Sequence, residues 1–277
     1  FIQNKPSIVI IAAAKVGGIY ANFTNPYAFI LENLKIQTNL IEISFKYKVK
    51  KLLFLGSSCI YPKFAPQPII EESLLSGTLE NTNEFYAIAK ISGLKLCQAL
   101  IKQFNFNCIC LMPTNLYGKG DYYNPTYGHV IPSLIKKFYD AKTNNLKSVR
   151  CWGSGKVMRE FLYVDDLAKA CIFALQNINF NSDFNDKHDK TNQVPWLNIG
   201  SEFETSIKEL AQIIAKTVDY HGEIIWDNSK PDGTPRKKLN TEKMERLGWV
   251  AKTNLKEGIN LTFRHFKEEL KNNTLRT

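Results

Sequence analysis

Three short apolar runs limit what this chain can become. Ser7–Ala12, Leu52–Leu55 and Cys108–Met112 are almost wholly apolar, and the second and third end in Gly56-Ser57-Ser58 and Pro113-Thr114-Asn115. Continuous runs of that length fit strands covered on both faces, as parallel sheets require. Helix-like stretches lie between them. Asn25-Pro26 reads as an N-cap and first helical residue, followed by Phe29, Leu34, Leu40 and Ile41. Phe85–Phe104 carries Ile88, Ile91, Leu94 and Ile101 at helical spacing. The alternation predicts an α/β fold. Further helices are expected over His129–Ala141, Asp165–Leu175 and Ser206–Val218, with Asp165 and Thr205 as caps. Pro62 to Thr82 reads as a loop, Asp121–Gly128 as a substrate-side loop, and Phe180–Thr191 as a polar surface loop.

Charge and cysteine usage narrow the function classes. The net charge is +10, but the lysines are scattered and no nucleic-acid motif accompanies them, so no nucleic-acid partner is expected. A basic balance also suits ligands that carry phosphates. No apolar run reaches membrane-spanning length, and the first residues do not form a signal peptide, so no membrane partner is expected. None of the six cysteines forms a C-x-x-C pair. Reduced thiols, no metal site and a cytoplasmic location are therefore expected.

The chemistry begins with Tyr86 and Lys90, four residues apart on one helix face. A phenol works as an acid or base when its pKa falls, and a nearby ammonium is expected to lower it. Alone, this pair is better explained by a solvated helix face. Ser57 stands at the end of a buried strand, where open parallel sheets bind ligands. It can donate a hydrogen bond beside Tyr86, although a turn serine would look the same. Ser57, Tyr86 and Lys90 in this order match the triad of short-chain dehydrogenases.

A closer resemblance runs through nearly the whole chain. Ala12–Gly18 with Ala21-Asn22, the GSSCIYP segment from Gly56, YAIAK from Tyr86 and PTNLYG from Pro113 are similar to the GDP-L-fucose synthase family. So are HVIP from His129, WGSG from Trp152, MREF from Met158 and KPDGTPRK from Lys230. The resemblance implies a Rossmann-type doubly wound parallel sheet in residues 1–117. A smaller substrate-binding domain would then occupy mainly 118–277, with some segments returning to the first. The family opens with a glycine-rich turn that is not found here, so the expectation is a chain lacking a first βαβ portion of about 30 or more residues.

The resemblance also implies a reaction. A GDP-sugar substrate, GDP-4-keto-6-deoxy-D-mannose, would be inverted at two carbons and reduced with NADPH, in a homodimer. Cys59 and His129 would join the triad as proton-transfer groups, although on their own chemistry alone a buried small residue and a helix N-terminal residue explain them better. Leu55, Gly56, Ser57, Ser58, Lys90, Pro113, Thr114, Asn115, Leu116 and His129 would hold NADP(H). Arg159 and Lys137 would bind the diphosphate, Trp152 the sugar or base, and Asp232 the ligand's hydroxyls or base. Two rival readings are another nucleotide-sugar epimerase or dehydratase of the same fold and a non-catalytic dinucleotide-binding regulator.

Overall fold

The computed structural model describes residues 1–179, 195–230 and 232–277, so the expected loop at Phe180–Thr191 lies outside the described residues. In chain order the elements are β1 (Ile8–Ile11), α1 (Ile19–Thr24), α2 (Pro26–Lys46), β2 (Lys51–Leu55), α3 (Glu84–Phe104), β3 (Cys108–Pro113) and β4 (Asn115–Tyr117). Next come α4 (Val130–Thr143), β5 (Ser148–Trp152), β6 (Met158–Tyr163), α5 (Val164–Asn177), β7 (Trp196–Ile199) and β8 (Glu204–Ser206). The last are α6 (Ile207–Val218), β9 (Glu223–Asp227), β10 (Arg236–Lys237), α7 (Glu242–Arg246) and α8 (Leu255–Lys271).

The main sheet is parallel, in the order β1-β2-β3-β7. Alternation sends Leu52 and Phe54 of β2 to one face and Leu53 to the other. The first face packs on Ile41 of α2 and Leu94 and Cys97 of α3. The second packs on Leu167, Ala170 and Ala174 of α5. Helices thus cover both sides of β2 and β3, as the doubly wound reading requires. At β1 the expectation of cover on both faces fails. Ile8 and Ile10 are 49% and 48% exposed, because α5 packs on β2 and β3 and does not extend to this edge.

Helix α2 is built differently from its apolar pattern. Its buried stripe is Phe29, Asn33, Gln37, Ile41 and Ser44, and Leu34 and Leu40 sit at its margins. The buried amides carry backbone contacts instead of apolar area. Asn33 accepts from Lys15 N at 3.0 Å and donates to Lys15 O at 3.0 Å. Gln37 Nε2 donates to Ala89 O of α3. In α3, Ile88 is exposed. Three caps also differ in detail from expectation. Asn25 is the N-cap residue of α2 as expected, with Pro26 next, but its side chain donates to Ala21 O at the end of α1 instead of bonding the first turn. Asp165 lies inside the first turn of α5, and Ser206, one residue past Thr205, closes a capping box with Glu209.

A second core gathers α4, α6 and α8 around Tyr117, Phe138, Phe161, Leu210 and Phe266. Against it lies a sheet in which β6 pairs in parallel with β4 and β10, and antiparallel with β8. The register sets Arg236 opposite Met158 and Lys237 opposite Arg159. Glu160, fully buried in β6, ties the two cores together. Its carboxylate accepts from Ser201 N at 2.8 Å, Glu202 N at 2.9 Å and Leu239 N at 3.1 Å.

Candidate active site

The site starts where β2 ends. A Cβ on Gly56 would press on the end of the Met112 side chain, so glycine lets the chain leave the sheet here without moving it. Ser57 is extended and accepts from Cys59 N at 3.2 Å, which turns the chain through one 3-10 turn at Ser58–Ile60. Helix α3 then brings Tyr86 beneath Ser57. The Tyr86 ring meets Phe29 edge-on at 6.4 Å, and the Ser57 hydroxyl stands near enough to its phenol to favour the phenolate.

The expected ammonium-lowered phenol is not what the structure gives. Burial pushes the Tyr86 phenol up, and the nearby Cys59 adds to this, with the Ser57 hydrogen bond opposing both. Tyr86 is therefore a proton donor at neutral pH. Lys90 Nζ donates to Leu55 O at 2.9 Å and lies 5.9 Å from the Tyr86 ring centroid. Burial lowers Lys90 to about 8.

That shift has a testable sign. The unfolded chain keeps the Lys90 proton up to about pH 10.5 and the folded one only to about pH 8. Between these values unfolding takes up a proton, so stability rises with pH across the window, by up to about 3 kcal/mol. Lys90→Met is expected to flatten this rise. Denaturant unfolding of both proteins from pH 7.5 to 10.5 would measure it, and equal slopes would remove the assignment.

Cys59 and His129 approach one cation. Lys237 Nζ and Asn83 Nδ2 donate to Cys59 Sγ at 3.5 and 3.3 Å. His129 is the N-cap residue of α4, but its ring caps nothing. It opens to solvent on one side, while the cleft walls crowd the rest. That crowding lowers its pKa, Asp121 opposes the drop and Lys237 reinforces it. Sequence reasoning missed Lys237, Asn83 and Asp121. Lys237 stood inside the KPDGTPRK segment and Asp121 was the only acid in the Asp121–Gly128 loop. Asn83 gave no signal.

The remaining candidates divide into two groups. Arg159 donates to Met158 O at 2.8 Å and Asp232 O at 3.3 Å, and among the described residues no carboxylate lies within 4 Å of it. Lys137 Nζ stands 5.0 Å from the Trp152 ring centroid. Burial lowers the pKa of both cations. Asp232 instead accepts from Ser154 N and Ser154 Oγ, both at 2.8 Å, and so fastens the turn after Trp152. Thr114 and Asn115 donate to Glu160 O at 3.2 and 2.7 Å. Their side chains therefore serve the framework, and Pro113 and Leu116 flank them in β3 and β4.

The donor set fits the nicotinamide end of a dinucleotide. Lys90 uses one of its three donors on Leu55 O, Tyr86 and Ser57 sit beside it, and all three stand at the C-terminal end of a parallel sheet.

The profile of the NAD dependent epimerase/dehydratase family matches residues 1–185. GDP-L-fucose synthase 1 of Arabidopsis thaliana is 51% identical over 263 residues, which are 95% of this chain and 77% of the plant protein. A GDP-6-OMe-4-keto-L-xylo-heptose reductase from C. jejuni superposes with a TM-score of 0.89 at 35% identity, over 97% of this chain and 84% of its own. A GDP-L-fucose synthetase from Naegleria fowleri, solved bound to NADP, superposes with a TM-score of 0.84 at 28% identity, over 100% of this chain and 81% of its own. With the Ser57–Tyr86–Lys90 cluster on a doubly wound sheet, this chain belongs to the GDP-L-fucose synthase group of the NAD dependent epimerase/dehydratase family.

Proposed function

We propose that the protein converts GDP-4-keto-6-deoxy-D-mannose to GDP-L-fucose, inverting C3 and C5 and then reducing the C4 ketone. The observation that carries this reading is Lys237. It lies 3.5 Å from the Cys59 sulfur and close enough to His129 to disfavour its protonation. A reduction alone would need neither Cys59 nor His129. Two proton-transfer groups at one cleft, beside a protonated tyrosine, fit a reaction that first exchanges carbon-bound protons.

In each inversion, one of Cys59 and His129 removes a proton from the carbon beside the ketone. The electron pair moves onto the ketone oxygen, where Tyr86 and Ser57 donate hydrogen bonds. The other group returns a proton to that carbon. Lys237 faces both groups and meets the charge they exchange. When bound, NADPH supplies the hydride for the ketone carbon. Tyr86 gives its phenolic proton to the oxygen, and Lys90 is the nearby cation that answers the phenolate left behind. Arg159 and Lys137 hold the diphosphate.

A division near residue 117, a homodimer and a cytoplasmic location belong to the same proposal. Helices α2 and α3 expose Tyr27, Phe85 and Ile88, which suits a helical subunit interface. All six cysteines are free, and among the described residues no helix is long and apolar enough to cross a membrane.

Incubation with GDP-4-keto-6-deoxy-D-mannose and NADPH is the direct test. Proton NMR of the product should show GDP-L-fucose. A GDP-6-deoxyhexose with uninverted C3 and C5 would make the protein a simple reductase.

A further inference from the structure

Three aromatic rings from separate parts of the chain meet beside the segment that carries His129. The Tyr20 ring is 5.6 Å from Tyr127 and 6.2 Å from Trp152, centroid to centroid. They are 42%, 42% and 38% exposed. Among the described residues, neither tyrosine hydroxyl has a hydrogen-bond partner, so the rings are not held there by their polar ends. Large exposed rings in contact present an apolar, polarisable face to whatever enters the cleft.

Cations border this wall. Lys137 and Lys230 place their ammonium groups 5.0 and 5.5 Å from the Trp152 ring centroid. Arg159 is not far off. A Cβ on Gly233 would lie 3.2 Å from Ile19 Cδ1, next to Tyr20, and 3.5 Å from Arg159 Nη2. A ligand that is flat and aromatic at one end and multiply anionic beside it matches this order of groups, and a nucleoside diphosphate is such a ligand.

The wall is also fixed relative to the reacting end. Gly18 N, just ahead of Tyr20, donates to Tyr127 O at 2.8 Å. A Cβ on Gly18 would come within 2.5 Å of Gly128 O, so the two segments are in close backbone contact. His129 follows Gly128 directly. Asp232 ties the Trp152 turn to the turn after Lys230 through Ser154.

We infer that Tyr20 and Tyr127 form, with Trp152, the stacking platform for the nucleobase of the GDP-sugar, which makes both tyrosines substrate-affinity residues. This rests on the GDP-sugar reading of the site and adds residues that the motif segments do not assign. The platform holds the base, Lys137, Lys230 and Arg159 take the diphosphate, and the short Gly128–His129 link sets the sugar's distance from the proton-transfer groups.

Calorimetric titration of the full chain with GDP and with inorganic pyrophosphate tests this. Stacking on one aromatic side chain is commonly worth a factor of about ten or more in affinity. Tyr20→Ala and Tyr127→Ala are each expected to weaken GDP by about ten-fold and leave pyrophosphate unchanged. Tyr20→Phe should bind GDP like the wild type, which also guards against a folding defect. Unchanged GDP affinity in both alanine variants overturns the platform. So does an equal loss for GDP and pyrophosphate, or a loss in Tyr20→Phe as large as in Tyr20→Ala. A wild-type protein that turns over the GDP-sugar while its variants behave in these ways loses only the platform. A wild-type protein with no affinity for GDP loses the GDP-sugar reading as well.

Discussion

Tyr86→Phe is expected to slow ketone reduction by about 10²–10⁴-fold, the usual contribution of a positioned general acid. The substitution removes one oxygen and keeps the ring that packs against Phe29, so the fold should persist. Burial keeps the phenol protonated. Ser57 can still donate a hydrogen bond to the ketone oxygen, but an aliphatic hydroxyl is a far weaker acid than a phenol. Exchange of the carbon-bound protons should survive in part, because Cys59 and His129 are untouched. The measurement is NADPH oxidation with the keto-sugar, next to deuterium uptake from D₂O. Normal NADPH oxidation by the variant would sink the triad assignment.

Cys59→Ser should have the complementary effect, slowing deuterium uptake at the flanking carbons by about 10²-fold or more. A hydroxyl is a far weaker acid than a thiol and seldom a base. It is also small enough for the site, where Asn83 and Lys237 already supply donors. Hydride transfer remains possible, so a GDP-6-deoxyhexose other than fucose should accumulate. Mass spectrometry and NMR of the product follow both positions. Wild-type uptake at both would make Cys59 a packing residue.

Legibility in the sequence followed apolar patterning. Strands β2 and β3 were visible because they are buried on both faces, and the long helix α3 because its apolar side repeats. Helix α2 was visible as a helix, but its buried face was not, since Asn33 and Gln37 look like surface residues until their backbone partners are known. The open face of β1 was equally hidden, because a run of apolar residues does not say whether a helix reaches it. At the site, Ser57, Tyr86 and Lys90 were legible as a spaced set. Asn83 and Asp121 were not: Asn83 reaches Cys59 from 24 residues away, and Asp121 meets His129 only because the loop between them folds back. Glu160 was quoted within a motif, but its work of holding three backbone amides leaves no trace in spacing.

The two-residue strand β10 decides which kinds of change its segment can absorb. Arg236 opposes Met158 and Lys237 opposes Arg159. Successive residues point to opposite sides, so Lys237 meets Cys59 while Arg236 pairs outward with Glu204 at 2.8 Å. Both ends are pinned, by Met158 N on Pro235 O and by Leu239 N on the Glu160 carboxylate. Replacing a side chain here alters one contact. Adding or removing a single residue between Gly233 and Lys237 would turn the strand over. It would bring Arg236 or Lys238 to the sulfur and send Lys237 to the outside. Length, more than identity, is what this stretch has to keep, and loop grafting or indel variation across it should be far less tolerated than point substitution.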